Sequence, residues 1–380
     1  MESHAGGPVT VAAIQAEIDD ARRRSTPVRI AGRAHWMDAG RPVAAERTIT
    51  TASYSGVVDY VPGDLTITVR SGTTLGEIAS ITGEEGQWFP LAPYGDDAGT
   101  IGATIATGSS GPLAQRFGGI RDLVLGLEFV SGEGKIVRGG GRVVKNVAGF
   151  DLTRLMTGSW GTLGIITEAT LRLYASEARP ATLVVGLPHS GTHLAPRIAA
   201  LLAAPIVPYA IQLIDGATAT RLKLQARTSL LIEVGGNAAA VKSQRDALAA
   251  LGAEEIGPEV WTTLRLLDGE GSSVLRISTL VTRLAELWQT LQHSIEEVSG
   301  ALMNASPGLG MVRCIIPASA DAGTVARIAA AGGDCSVVFE KMSPQMWEAL
   351  SPSVVADRVS RGIKHAFDPA NILNPGILGE

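Results

Sequence analysis

Apolar positions first recur at helical spacing: Val11, Ile14 and Ile18 fall on one face of a helix that Pro8-Val9-Thr10 opens and Arg22-Arg23-Arg24 closes. The three arginines meet the negative end of the helix dipole, as expected of a solvated terminus. From residue 27 the pattern changes to short β-branched runs separated by glycine. "PVRIAG" and the two halves of "GVVDYVPGDLTITVRSG" read as strands, with Pro62-Gly63-Asp64 supplying the turn in the second. A short helix is expected in "TTLGEIASITG", and strands in "LVLGLEFVS" and "KIVRG". Between them, from "PLAPYGDDAGTIGATIATGSSGPLAQRFGG", glycine or another small residue recurs every few positions. Such a segment can hardly pack by side chains, so its backbone must approach something closely.

A second grammar runs from about Arg179 to Asp334. Strand-like "TLVVGL", "YAIQLI", "SLLIEVGG", "SVLRIST" and "MVRCIIP" alternate with helical "AAAVKSQRDALAALG" and "VTRLAELWQTLQHSIEEVSG". This predicts an α/β or α+β module with its own core, poor in glycine clusters, as suits a cap or substrate domain. The strand "CSVVFEKM" and the helix "PSVVADRVSRGIKHAF" then lead to "DPANILNPGIL", whose two prolines forbid further helix.

A chain of 380 residues is long enough for two domains, with room for a third. The 45 glycines and 19 prolines beside only 4% aromatic residues fit a packed globular protein with many tight turns. Net charge is −5 and the basic residues are scattered, so no basic stripe favours nucleic acid. Two cysteines, Cys314 and Cys335, fit a reducing compartment and are too few for a disulfide scaffold or a four-cysteine metal site. No basic-then-apolar leader opens the chain, and no apolar run reaches the roughly 18 residues of a membrane span. The expectation is a cytoplasmic protein.

The chemical motifs are mostly negative. No G-x-G-x-x-G lies between a first strand and helix, and no P-loop occurs. His189 and His193 stand four apart, but Gly191 lies between them and no glutamate follows His189, so no zinc site is expected. Cys314, in an apolar strand, reads as an inert thiol. Asn371 to Gly376 forms a tight turn that, taken alone, is a helix stop with Asx-type geometry.

In combination the segments say more. "TIGATIATGSSGP" followed by "RFGGIRDLVLGLEFVSGEG", then "GGRVVKNVAGFDLTRLMTGSWGTLGIITEATLRLY" and finally "AFDPANILNPGIL" resemble the FAD-binding oxidoreductases of the vanillyl-alcohol oxidase and para-cresol methylhydroxylase (PCMH) type. The likeness is nearest to the FAD-binding E-type subunits of glycolate oxidase (glycolate dehydrogenase). It is strong over residues 27–174, good over 360–378, and elsewhere only one of length and pattern.

The resemblance implies an α+β fold. Residues 1–26 would form an N-terminal helix and arm, 27–178 a PCMH-type FAD-binding domain, 179–334 an inserted α/β cap, and 335–380 a C-terminal segment returning to the FAD domain. It places the pyrophosphate of FAD on a loop after the first strand, here Gly32, Arg33, Ala34, His35 and Trp36. The small-residue stretch Thr100, Ile101, Gly102 and Ala103, with Gly108, Ser109, Ser110 and Gly111, would also touch it. Gly161, Thr162, Ile165 and Ile166 match the part that brings main-chain groups to the adenine side, and Asn374 matches an amide near the flavin ring. Pyrophosphate wants many N–H donors and the rings want apolar strand residues, so the residue types suit the parts.

Two departures matter. Many relatives carry a run of glycines ending in Ser or Thr where Ala34, His35 and Trp36 stand. Relatives that oxidise 2-hydroxy acids directly carry an H-x-G-D-G-N-x-H segment and a Glu-His pair for a divalent metal and a base, and neither occurs here. No metal is expected, and His365 is left as the candidate base, with Arg361 and Lys364 beside it read as a solvated helix face. The resemblance implies an FAD-dependent oxidoreductase subunit acting on the CH–OH group of a small 2-hydroxy acid. It would work with a second flavoprotein subunit and an iron–sulfur subunit, and touch a membrane only peripherally through them. A free-standing FAD oxidoreductase with another substrate and a non-catalytic scaffold of the same fold are the alternatives.

Overall fold

The structure is a computed structural model, and it describes residues 10–141, 150–176, 180–187, 194–350 and 357–379. The chain divides into two units, one formed by Met1–Ser110, Gly118–Ser176 and Pro352–Glu380, the other by Gly111–Phe117 and Glu177–Ser351.

In the first unit the N-terminal helix spans Val11–Arg24, capped by Thr10, whose hydroxyl accepts the Ala13 N–H at 3.1 Å. Its last turn is neutralised from within: Arg22 pairs with Asp19 at 3.1 Å and Arg24 with Asp20 at 3.0 Å. The apolar face of Ile14, Ile18 and Ala21 packs with Val28, Ile49, Val130, Ile165, Ile372 and Leu373 in one core cluster. The helix, expected as part of the N-terminal helix and arm of 1–26, packs as a wall of this unit.

Beside it the strands Val28–Ala31 and Arg47–Thr50 run parallel, and Leu373 bridges Val28 in parallel on the other side. The main sheet of the unit is antiparallel, in the order Val57–Val61, Thr66–Arg70, Gly164–Arg172, Val124–Ser131, Ile136–Gly140. The expected turn at Pro62–Asp64 joins its first two strands. The helix expected after it spans Leu75–Glu84 and begins with a reciprocal capping box between Thr74 and Glu77. A second cluster, with Ile67, Val69, Ile78, Ile105, Phe129, Ile166 and Leu171, packs this helix and the helix Ile101–Thr107 on one sheet face.

The second unit is built on an eight-stranded sheet in which every pairing is antiparallel, the α+β form of the α/β or α+β module expected there. The order is Glu254–Ile256, Ala181–Gly186, Ser229–Val234, Pro208–Ile214, Leu302–Ser306, Met311–Ile316, Ser273–Ser278, Ser336–Lys341. One face packs against helices that include Leu284–Ile295 and Ala322–Ala330, the other against Gly216–Arg221 and Glu259–Arg265. Because Ser336–Lys341 closes the sheet edge and Trp347 of the next helix joins its core, this unit extends to Ser351 and not to 334. The strand Leu302–Ser306 escapes the apolar pattern because Asn304 and Ser306 interrupt it; both are buried and bonded to Gln212, at 3.0 and 2.6 Å.

Glu233 lies on the strand Ser229–Val234, opposite Thr182 and Ala210. Burial pushes its carboxyl up to about 7. A carboxyl raised on folding favours the folded state below its unfolded pKa and loses that advantage as pH rises toward the folded value. Glu233→Gln should therefore leave stability unchanged near pH 4 and raise it by about 3 kcal/mol above pH 7, since each tenfold change in an ionisation equilibrium is worth about 1.4 kcal/mol. Urea denaturation of both proteins across pH 4.5 to 8 measures the difference.

Candidate functional site

In the first unit two loops lie side by side. A Cβ on Gly32 would collide with the Thr100 hydroxyl and sit 3.3 Å from Ala103. His35 Nδ1 lies 3.6 Å from an Asp96 oxygen, and the Trp36 indole nitrogen lies 3.8 Å from where a Gly95 Cβ would be. Residues 32–36 thus run alongside residues 95–100, an approach that a side chain at Gly32 would block. Ala34 holds a left-handed backbone with φ of 60°, a conformation that favours glycine, and Arg33, Ala34 and His35 are exposed.

Thr100 caps the helix Ile101–Thr107, and the first N–H groups of that helix have partners within the protein. Ile101 donates to the Thr73 carbonyl and Gly102 to the Ser71 carbonyl, each at 2.9 Å, while Ala103 donates to the Thr100 hydroxyl at 3.4 Å. A Cβ on Gly102 would lie 2.6 Å from that of Ser71, so the glycine serves helix packing. At the other end of the helix, Gly108 takes φ of 67° and its Cβ position is 3.3 Å from Gly158.

The glycine turn meets the helix there: Gly158 donates to the Ile105 carbonyl at 3.0 Å and Trp160 to the Ala106 carbonyl at 2.7 Å. Trp160 and Gly161 take successive positive φ values of 54° and 73°. A Cβ on Gly161 would stand 2.8 Å from the Asn374 amide nitrogen. That amide donates to the Trp160 carbonyl at 2.7 Å, and the Asn374 side-chain oxygen accepts the Ile30 N–H at 2.8 Å. Asn374 therefore ties the first strand, the glycine turn and the tail together.

The remaining positions are more dispersed. Thr162 is buried and its hydroxyl donates to the Ser159 carbonyl at 2.7 Å. Ile165 and Ile166 are buried in different core clusters of the strand Gly164–Arg172. Ser109 donates its N–H to the Thr104 carbonyl at 3.1 Å, and the Ser110 hydroxyl accepts the Ile120 N–H at 3.2 Å. Gly111 is buried at the start of the short segment that belongs to the second unit. His365 is exposed on the helix Arg358–Phe367. Lys364 departs from the expected solvated face: its ammonium donates to the Thr162 carbonyl, the Leu373 carbonyl and the Asp368 carboxylate at 3.0, 2.9 and 2.8 Å. His189, His193 and residues 145–149 of the glycine-rich stretch lie outside the described residues.

Sequence reading missed three polar groups. Arg29 Nε, Ser71 Oγ and Ser159 Oγ are buried without a hydrogen-bond partner among the described residues. Arg29 stands three residues before Gly32, Ser71 packs on Gly102, and Ser159 lies two residues before Gly161. Burial lowers the pKa of Arg29. Nothing in the sequence marks them. Glycine-dependent backbone approaches, an exposed loop with Arg33 and His35, and unsatisfied donors fit a long ligand with phosphates and a planar ring system, so the residues present fit FAD.

A family of sequences described as an FAD binding domain matches residues 7–140. Glycolate oxidase subunit GlcE of Escherichia coli K12 is 35% identical over 256 residues, 67% of each chain. Glycolate oxidase subunit GlcD of Bacillus subtilis 168 is 34% identical over 196 residues, covering 50% of this chain and 42% of that one. D-2-hydroxyglutarate dehydrogenase of Xanthomonas citri pv. viticola is 25% identical over 432 residues, 98% of this chain and 88% of its own. Among solved structures, alkyldihydroxyacetonephosphate synthase aligns with a TM-score of 0.68 at 17% identity, over 96% of this chain and 75% of that one, a likeness of fold.

The two loop positions make opposite predictions. Ala34→Gly removes a left-handed alanine and should stabilise the protein by about 0.5–1 kcal/mol, the strain relieved less the entropy gained by the unfolded chain. Gly32→Ala pushes a methyl into Thr100 and should destabilise it by about 1–3 kcal/mol. Denaturation midpoints of the two variants against the parent test both signs.

Proposed function

Because this chain belongs to the FAD-binding oxidoreductases of the PCMH type, we propose that it is the FAD-binding subunit of a dehydrogenase for glycolate or a similar small 2-hydroxy acid. The observation that carries this reading is the convergence of the first strand, the glycine turn and the tail through Gly161 and Asn374. Bound FAD supplies the two-electron acceptor for a C–H bond beside a hydroxyl.

The chain's own residues bind and orient. Arg33, Ala34 and His35 present the exposed loop to the phosphates, with the Arg33 guanidinium as a charge partner. Gly161 lets the turn come within reach of Asn374, and Asn374 fixes the distance between that turn and the first strand. The apolar cluster around Ile105, Phe129 and Ile166 closes the wall behind them to water. No proton-transfer role is assigned to His365, which is exposed.

Two features favour a divided machine. The sequence lacks the metal-and-base segments of direct 2-hydroxy-acid oxidisers, and the relative GlcE is by name a subunit of glycolate oxidase. We assign the missing chemistry to a second flavoprotein subunit and the onward electron path to an iron–sulfur subunit. Among the described residues no helix is long and apolar enough to cross a membrane, and we place the assembly in the cytoplasm with any membrane contact made through partners.

The purified chain should take up FAD and show flavin absorbance. Glycolate added anaerobically should bleach that absorbance only when the partner flavoprotein subunit is present. Bleaching of the isolated chain by a single substrate would establish the free-standing enzyme instead, and failure to take up FAD would end both readings in favour of a scaffold.

A further inference from the structure

The structure assigns to Lys364 the role of a positioning residue that holds the glycine turn against the tail at the distance FAD requires. The inference rests on the FAD-binding reading given above. Lys364 is mostly buried, its side chain 14% exposed, and its three N–H bonds have three acceptors: the Thr162 carbonyl, the Leu373 carbonyl and Asp368. Thr162 follows Gly161 and Leu373 precedes Asn374. One ammonium thus clamps two chain segments at the residues next to the Gly161–Asn374 contact.

Asp368 completes the clamp. Its side chain is fully buried, and its carboxylate also accepts the Ile372 and Leu373 N–H groups at 3.2 and 2.8 Å. The turn that carries Asn374 is therefore folded around Asp368, while Lys364 fastens it to the glycine turn. A buried carboxylate needs a charge partner, and this accounts for the salt bridge as a matter of stability. Stability does not by itself require the ammonium to bridge two carbonyls from segments far apart in the sequence.

Those two roles separate in variants. Lys364→Met removes both the charge and the bridge, so it should lower the melting temperature and weaken FAD binding by about tenfold or more, the scale of lost charged hydrogen bonds. Adding Asp368→Asn removes the stranded buried charge. The double variant should regain part of the melting temperature, because the asparagine amide accepts only one of the Ile372 and Leu373 N–H groups, and yet keep the weakened FAD affinity and an altered visible spectrum of the bound flavin, since the Thr162–Leu373 bridge is still missing. FAD titration followed by flavin fluorescence, with melting curves on the same samples, reads both quantities. As a control, Ile277→Val, a fully buried position in the core of the second unit, should lower the melting temperature without changing FAD affinity. Recovery of FAD affinity together with stability in the double variant, or unchanged affinity in Lys364→Met, would overturn the inference and leave the FAD reading intact. A parent protein that binds no FAD would instead refute that reading.

Discussion

One carboxamide joins three distant parts of this chain. Asn374 accepts the N–H of Ile30, donates to the carbonyl of Trp160, and through its own backbone N–H reaches the carbonyl of Val28 at 3.0 Å. All three bonds are made inside a buried neighbourhood, where each unmet donor or acceptor costs about 1–3 kcal/mol. The first strand, the central glycine turn and the tail must therefore assemble together. The close approach has a steric condition as well, because only a residue without Cβ at 161 leaves room for the amide. Asn374 itself holds a φ of 43°, a conformation asparagine tolerates better than most residues.

The same economy of partners governs the charged groups. In the first unit Lys364 and Asp368 satisfy each other and the backbone around them. In the second unit the nearly buried Arg313 reaches Glu340 at 3.1 Å and Asp268 at 3.3 Å, and Arg276 meets the other oxygen of Glu340 at 2.9 Å. Such networks seldom add much net stability over apolar packing, but removing one member strands the rest. Their value here is positional: they hold specific segments in specific places. The loop of the first unit that carries Arg33 and His35 is exposed.

Much of the fold was legible in the sequence. The strands on either side of Pro62–Asp64, the helix after Thr74 and the strands of the second unit follow from periodicity and turn residues, and the glycine-rich segments rightly pointed to close backbone approach. What escaped was partnership across long separations. The arginines of the first helix found Asp19 and Asp20, three or four residues away, as a local pattern can suggest. Lys364, by contrast, looked like part of a solvated face because its carbonyl partners at Thr162 and Leu373 carry no side-chain signal. The small residues of 100–103 read as ligand contacts, and no side-chain signal announces that the N–H groups of Ile101, Gly102 and Ala103 bond to Thr73, Ser71 and Thr100. The placement of Gly111–Phe117 in the second unit has no sequence signature, since seven residues are too few to show a period of their own.

In the proposed FAD-binding subunit, the loop 32–36, the turn 158–164 and the tail 371–376 would hold one FAD between them. Amide hydrogen exchange of the whole protein with and without saturating FAD, resolved by peptide, tests it most directly. The account requires all three segments to gain protection together on FAD addition, with the core strands of the second unit unchanged. Protection confined to a single segment, or a response that leaves residues 32–36 and 371–376 untouched, would contradict it.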